Sequence, residues 1–99
     1  MYQIEFSEGV ETDLKKIRIY TRKIILDAVE QKLVHRPNIE TKNRKVLVNL
    51  IPPFESIPPI RELRVGDFRV FYDVDQDAEK VYVRAVRKKP PHSTAEEIL

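Results

Sequence analysis

Side chains suited to phosphate chemistry gather in two stretches of this chain. Arg61, Glu62, Arg64 and Arg69 lie close together, and so do Arg84, Arg87, Lys88 and Lys89. A smaller basic group, Lys42, Arg44 and Lys45, precedes them. A guanidinium presents a planar donor fork that matches phosphate oxygens, and it stays charged. With a pKa above roughly 12 it is a poor general base. A proton could be moved by Glu62, if Arg64 or Arg84 holds its carboxylate, or by the imidazole of His92. Each residue also has a plainer reading. Glu62 suits a cross-strand ion pair, Arg69 a pair with Asp67 or Asp73 at a strand edge, Arg64 a solvated strand face, and His92 an exposed tail. His35 reads as the end of a helix. Lys15, Arg18 and Arg22 fall at i, i+3 and i+7. Like charges at that spacing repel mildly, which suggests a docking face for an anionic partner or simply a solvated helix face.

The elements that must position these groups follow from the apolar period. Tyr2, Ile4 and Phe6 alternate with polar residues and predict a strand. Ser7-Glu8-Gly9 breaks it, with Ser7 a candidate helix N-cap. From Val10 the spacing becomes three and four (Val10, Leu14, Ile17, Thr21, Ile24, Ala28, with Ile25, Val29 and Leu33), which is helical. The pattern permits one helix or a hairpin broken near Tyr20-Thr21. His35, Arg36 and Pro37 end it. Residues 38–59 read as irregular, with two Ile-Pro-Pro units forming a stiff connector. Arg61 to Val65, Phe68 to Tyr72 and Val81 to Val86 then alternate around turns at Gly66-Asp67 and Asp75 to Ala78. They predict a three-stranded antiparallel meander. Ser93-Thr94-Ala95-Glu96 has the form of a capping box and predicts a short C-terminal helix. Helices precede a run of strands, so the expected class is α+β, with the helices on one face of the sheet.

Composition bounds the rest. The 99 residues carry 18 basic and 16 acidic side chains, a net charge of +2, and no Cys. That length fits a single domain over residues 1–99. Without Cys there is no disulfide, thiolate site or Cys nucleophile. Two His far apart in sequence do not favour a metal site. No apolar run is long enough to span a membrane, and the N-terminus has no signal-peptide pattern, so the expected compartment is the cytoplasm. The net charge hides an uneven spread. Residues 1–40 are balanced, while the basic clusters at 42–45, 61–69 and 84–92 flank the meander.

The string Leu63-Arg64-Val65-Gly66-Asp67-Phe68-Arg69-Val70-Phe71-Tyr72-Asp73-Val74 resembles the core motif of the RelE/ParE toxins of bacterial toxin–antitoxin modules. Tyr2-x-Ile4-x-Phe6-Ser7 resembles the first strand of that family. Asp13-Leu14 lies in its first helix, Arg44-Lys45-x-Leu47 resembles the segment before the meander, and Val81 to Val86 resembles its last strand. The resemblance implies an antiparallel sheet packed on a helical hairpin, and therefore two helices within residues 10–36. It implies a cognate antitoxin as partner and no metal or other cofactor.

Two activities exist within the family. RelE-like members cleave mRNA on the ribosome without a metal, whereas ParE-like members inhibit DNA gyrase and cut nothing. Metal-free cleavage needs a group to deprotonate the ribose 2′-OH, cations on the phosphate and an acid for the leaving oxygen. On this resemblance Arg69 aligns with an arginine that stabilises phosphate. Arg64, Glu62 and His92 complete the candidate catalytic set, with Arg61, Arg84, Arg87, Lys88, Lys89 and Lys45 as phosphate-binding candidates. The departures are specific. Ile60 and Glu62 stand where RelE-like enzymes often carry lysines. Arg87 replaces a glycine, and residues 90–99 hold no tyrosine. The leading expectation is a ribosome-dependent, metal-independent mRNA endoribonuclease. The alternatives are a gyrase inhibitor and a degenerate toxin that binds only its antitoxin.

Overall fold

A computed structural model describes all residues, 1–99. Chain order is β1 (Gln3–Phe6), α1 (Glu8–Lys15), α2 (Ile19–Leu33), β2 (Arg44–Val46), β3 (Arg61–Val65), β4 (Phe68–Asp75), β5 (Lys80–Lys88) and α3 (Ala95–Ile98). The class is α+β, as the sequence predicts.

The helical stretch is a hairpin, but it breaks at Lys16 to Arg18, before the expected Tyr20-Thr21. One straight helix from Val10 to Leu33 would run about 36 Å at 1.5 Å per residue, longer than the 34 Å greatest extent of the molecule. The last turn of α1 closes with tight bonds from Lys16 N–H to the Asp13 carbonyl (3.2 Å) and from Ile17 N–H to the Leu14 carbonyl (3.0 Å). Arg18 then turns extended at φ −55° and ψ 144°. Val10 of α1 and the Ile25, Val29 and Leu33 stripe of α2 thereby face the same sheet.

That sheet has five strands in the order β1-β5-β4-β3-β2. The meander β3-β4-β5 is antiparallel, and β1 joins it in parallel beside β5. β2 is an addition to the expected pattern. Only three residues long and mostly charged, it carries no readable alternation, and it pairs antiparallel with β3 at the sheet edge. One sheet face packs Leu63, Val70, Tyr72, Val81, Val83 and Val86 against the helices. The second face centres on Ile60, Phe71 and Ala85. It is covered by Leu47, Leu50 and Phe54 of the proline-rich connector and by Ala95, Ile98 and Leu99 at the C-terminus.

A bulge shapes this second face. Phe71 pairs with Ala85 and Tyr72 with Val83, which leaves Arg84 as the extra residue of β5. The Ser7 hydroxyl donates to the Arg84 carbonyl (3.1 Å). Ser7 does occupy the N-cap position of α1, but its side chain makes no capping bond there. The C-terminal capping box is also shifted by one residue, to Thr94 and Glu97. Both hydroxyl residues suit the motif, and the backbone selects the pair one step later.

Arg44, part of the first basic cluster, caps the C-terminal end of α2 instead of facing solvent freely. It donates to the Lys32 carbonyl (2.8 Å) and the Arg36 carbonyl (3.0 Å), at the negative end of α2. Tyr72, fully buried, donates its hydroxyl to the Pro37 carbonyl (3.2 Å). Burial pushes its phenol up to about 12, against the opposing pull of Arg44 and Arg61. An unfolded tyrosine loses its proton near pH 10, while the folded one keeps it, so the unfolded state binds fewer protons and stability falls as pH rises. Between pH 10 and 12 the loss reaches at most about 2–3 kcal/mol. Urea unfolding of Tyr72→Phe is expected to show that alkaline loss reduced, with a cost of about 1 kcal/mol at neutral pH for the missing hydrogen bond.

Candidate functional site

The β3–β4 hairpin turns at Gly66-Asp67, where Gly66 takes φ +56°, a left-handed conformation natural to glycine. Across the hairpin Arg64 pairs in register with Arg69. Two guanidinium groups opposite one another repel, and their side chains part. Arg64 stays in solvent. Arg69 folds inward to 7% exposure and donates to the Gly66 carbonyl (2.9 Å) and the Phe68 carbonyl (2.8 Å). Burial, and then the charge of Arg64, lower the Arg69 guanidinium below its ordinary range; Glu62 and Asp67 act in the opposite sense. Its Nε lies 3.9 Å from Glu62 Oε1 and has no hydrogen-bond partner.

Glu62 is itself buried and sits between two cations. Lys45, its register partner on β2, brings Nζ to 3.6 Å on one side, and Arg69 flanks the other. The carboxylate is thus an ion-pair partner held by Lys45 and Arg69, whereas the sequence pointed to Arg64 or Arg84 as its holder.

Arg84 is occupied elsewhere. Its Nε and second terminal nitrogen grip the two carboxylate oxygens of Asp73 at 2.8 and 3.1 Å, and its guanidinium lies 4.7 Å from the Tyr82 ring centroid. Asp73 is fully buried and also accepts the Ile57 N–H (3.1 Å). One carboxylate therefore ties the proline-rich connector to the bulge in β5. Arg87 is ion-paired with Asp13 of α1, which also accepts the Val86 N–H (3.0 Å). Arg61 belongs to the opposite sheet face by strand alternation, and it donates to the Asn38 carbonyl (3.1 Å).

Of the sequence-predicted residues, then, Glu62, Arg69 and Lys45 come together. Arg64 stands in register beside them but exposed. Arg84, Arg87 and Arg61 are each committed to another partner. Lys88 and His92 are exposed and Lys89 is half-buried, and their side chains enter no ion pair or hydrogen bond; His92 lies beyond β5 at φ 64°. The exposed members can hold an anion. The buried ones are matched to each other, and no exposed carboxylate or imidazole is paired with an exposed arginine.

Sequence reasoning weighed Asp73 only as a strand-edge partner for Arg69 and gave Asp13 no pairing role, whereas Asp73 holds Arg84, Asp13 holds Arg87 and Arg69 lies against Glu62. A signal for each existed. Asp73 interrupts the apolar run Val70 to Val74 on a strand buried on both faces, and Asp13 lies on the Val10, Leu14, Ile17 side of its helix. An acid in such a place requires a partner.

The largest concavity lies away from this cluster. It is an open groove of about 880 Å³ between β1 and α2, lined mainly by Tyr2, Ile4, Phe6, Leu26 and Val29, with Asp27 and Glu30 also in its wall. β1 is the end strand of the sheet, so its outer edge is unpaired there.

Comparison with known proteins places this arrangement. Residues 4–89 match the family described as ParE toxin of type II toxin-antitoxin system, parDE. Among curated protein sequences none matches significantly. Among solved structures the fold is similar to that of RelE in the archaeal RelE–RelB complex from Pyrococcus horikoshii, with 18% identity, TM-score 0.69, and coverage of 93% of this chain and 98% of that one. The isolated Escherichia coli RelE toxin gives 17% identity, TM-score 0.68, and coverage of 98% and 94%. The toxin–antitoxin complex RelBE2 of Mycobacterium tuberculosis gives 18%, 0.67, and 89% and 98%. At these identities the likeness is one of fold. No helix is long and apolar enough to cross a membrane.

Proposed function

The chain belongs to the family of ParE toxins of type II toxin–antitoxin systems, and from that premise we propose that it acts by binding DNA gyrase in the cytoplasm without cutting RNA. The observation that carries this reading is the state of Arg69 and Glu62. A phosphate-stabilising arginine must touch phosphate, and a general base must reach the 2′-OH. Arg69 is 7% exposed and spends its donors on main-chain carbonyls, while Glu62 is closed between Lys45 and Arg69. The lysines and tyrosine that the sequence lacks are also those that cleavage would use. A binding toxin needs none of them.

The apolar groove beside β1 supports the same reading, since it suits a protein segment better than a nucleotide. A cognate antitoxin is the expected neutralising partner. The RelE relatives from Pyrococcus horikoshii and Mycobacterium tuberculosis are found in such complexes.

The rival is a ribosome-dependent mRNA endoribonuclease. Exposed Arg64 and Lys88, with Lys89 beside them, favour it, as does the RelE-like fold. Expression of the chain from a tight promoter separates the two. The gyrase reading expects a DNA-damage response with intact mRNA 5′ ends. New codon-phased cuts without that response would overturn it.

A further inference from the structure

The corner where α1 meets α2 holds a cluster of cations that the fold does not consume. The sequence places Lys15, Arg18 and Arg22 on one helical face, but the break at Lys16 to Arg18 rearranges them. Lys15 pairs with Glu11 (3.7 Å), and Arg22 donates to the Ile17 carbonyl (3.0 Å). In their place Lys16 and Arg18 meet Lys88 from the end of β5 around a cavity of about 550 Å³. Thr21 adds a hydroxyl to its wall, and Phe68 and Val86 give it an apolar floor. Lys16, Arg18 and Lys88 form no ion pair. The one acid in the wall, Asp13, is bound to Arg87 and to the Val86 N–H. The first turn of α2 contains no acid to dilute the field. Tyr20, next in sequence to Thr21 in the first turn of α2, is 78% exposed.

We infer that this corner grips the phosphodiester backbone of a nucleic acid. Three unneutralised cations around one concavity satisfy successive phosphates. The apolar floor accommodates a sugar or base edge, and the exposed ring of Tyr20, in the same turn of α2 as Thr21, offers a face on which an unpaired base stacks. Strand alternation puts Lys88 on the face opposite Glu62 and Arg69, so the surface is separate from the buried cluster. The inference stands apart from the gyrase reading. Failure to inhibit gyrase leaves it untouched.

Fluorescence anisotropy of the purified chain with labelled oligo(dT) of about 16 nucleotides, and with a duplex of the same length, tests it. Binding to both is expected, falling steeply between about 50 and about 200 mM salt. Lys16→Glu with Arg18→Glu should weaken both by about tenfold or more and flatten the salt dependence. Tyr20→Ala should weaken oligo(dT) several-fold and spare the duplex. Lys32→Glu, at the far end of α2, tests whether a charge reversal outside the corner weakens binding and should change little. All four positions are exposed, and circular dichroism checks the fold of each variant. No binding at low salt, unchanged binding by the double variant, or an equal loss in Lys32→Glu would overturn the inference.

Discussion

Replacing Asp73 by alanine is expected to cost about 3–5 kcal/mol of folding stability, the effect of removing one partner of a buried ion pair. The carboxylate satisfies three donors at once, two from Arg84 and one from the backbone of Ile57. Without it a largely buried guanidinium has no counter-charge, and the connector loses its anchor to the sheet. Domains of this kind are stable by only about 5–15 kcal/mol in total, so the loss is a large share. Urea unfolding gives the value directly. A change below about 1 kcal/mol would mean that Arg84 finds other partners and that the second sheet face does not depend on this tie.

The second large effect distinguishes a structural pair from a catalytic one. Arg69→Ala alone leaves Glu62 buried with only Lys45 at 3.6 Å, and Glu62→Ala alone leaves Arg69 without its carboxylate. Each is expected to destabilise by roughly 2–4 kcal/mol. Replacing both together, Glu62→Leu with Arg69→Met, removes the charges in a balanced way and fills similar volume. Such exchanges are often neutral or stabilising by about 1–4 kcal/mol. The double variant should therefore fold at least as well as either single one and keep its toxicity. If Arg69 contacts a scissile phosphate, the double variant folds but loses toxicity completely. Growth arrest on induction, measured beside urea unfolding, separates these outcomes.

The sequence exposed the strands and helices more fully than the site. Alternation in Arg61 to Val65, Phe68 to Tyr72 and Val81 to Val86 marked the meander, because each strand has an apolar face to bury. The three- and four-residue spacing from Val10 to Leu33 marked the hairpin but not its hinge. No Gly or Pro stands there, and molecular size and packing against the sheet choose Lys16 to Arg18. β2 was hidden because Arg44-Lys45-Val46 is short and charged. The parallel place of β1 beside β5 joins residues far apart in sequence, and local pattern cannot reveal it.

The candidate site was legible as a list of charges and not as a set of pairs. Arg84 and Arg87 look alike in sequence to Lys88, yet Asp73 and Asp13 take the first two and leave the third free. The bulge in β5 decides part of this. It sets Arg84 and Ala85 side by side between Val83 and Val86, where strict alternation would have put Arg84 and Ala85 on opposite faces. By its place in the motif Arg69 looked like the strongest phosphate-stabilising candidate. Its repulsion from Arg64 and the nearby carbonyls of the turn draw it inward instead.

The most direct test is a supercoiling assay with purified gyrase, relaxed plasmid, ATP and the purified chain, run beside a translation mixture carrying a defined mRNA. The account predicts loss of supercoiling or accumulation of cleaved plasmid at chain concentrations that leave the mRNA intact. It also predicts that Glu62→Leu with Arg69→Met keeps this inhibition. Unimpaired supercoiling together with new codon-phased cuts in the mRNA, abolished in the double variant, would contradict it.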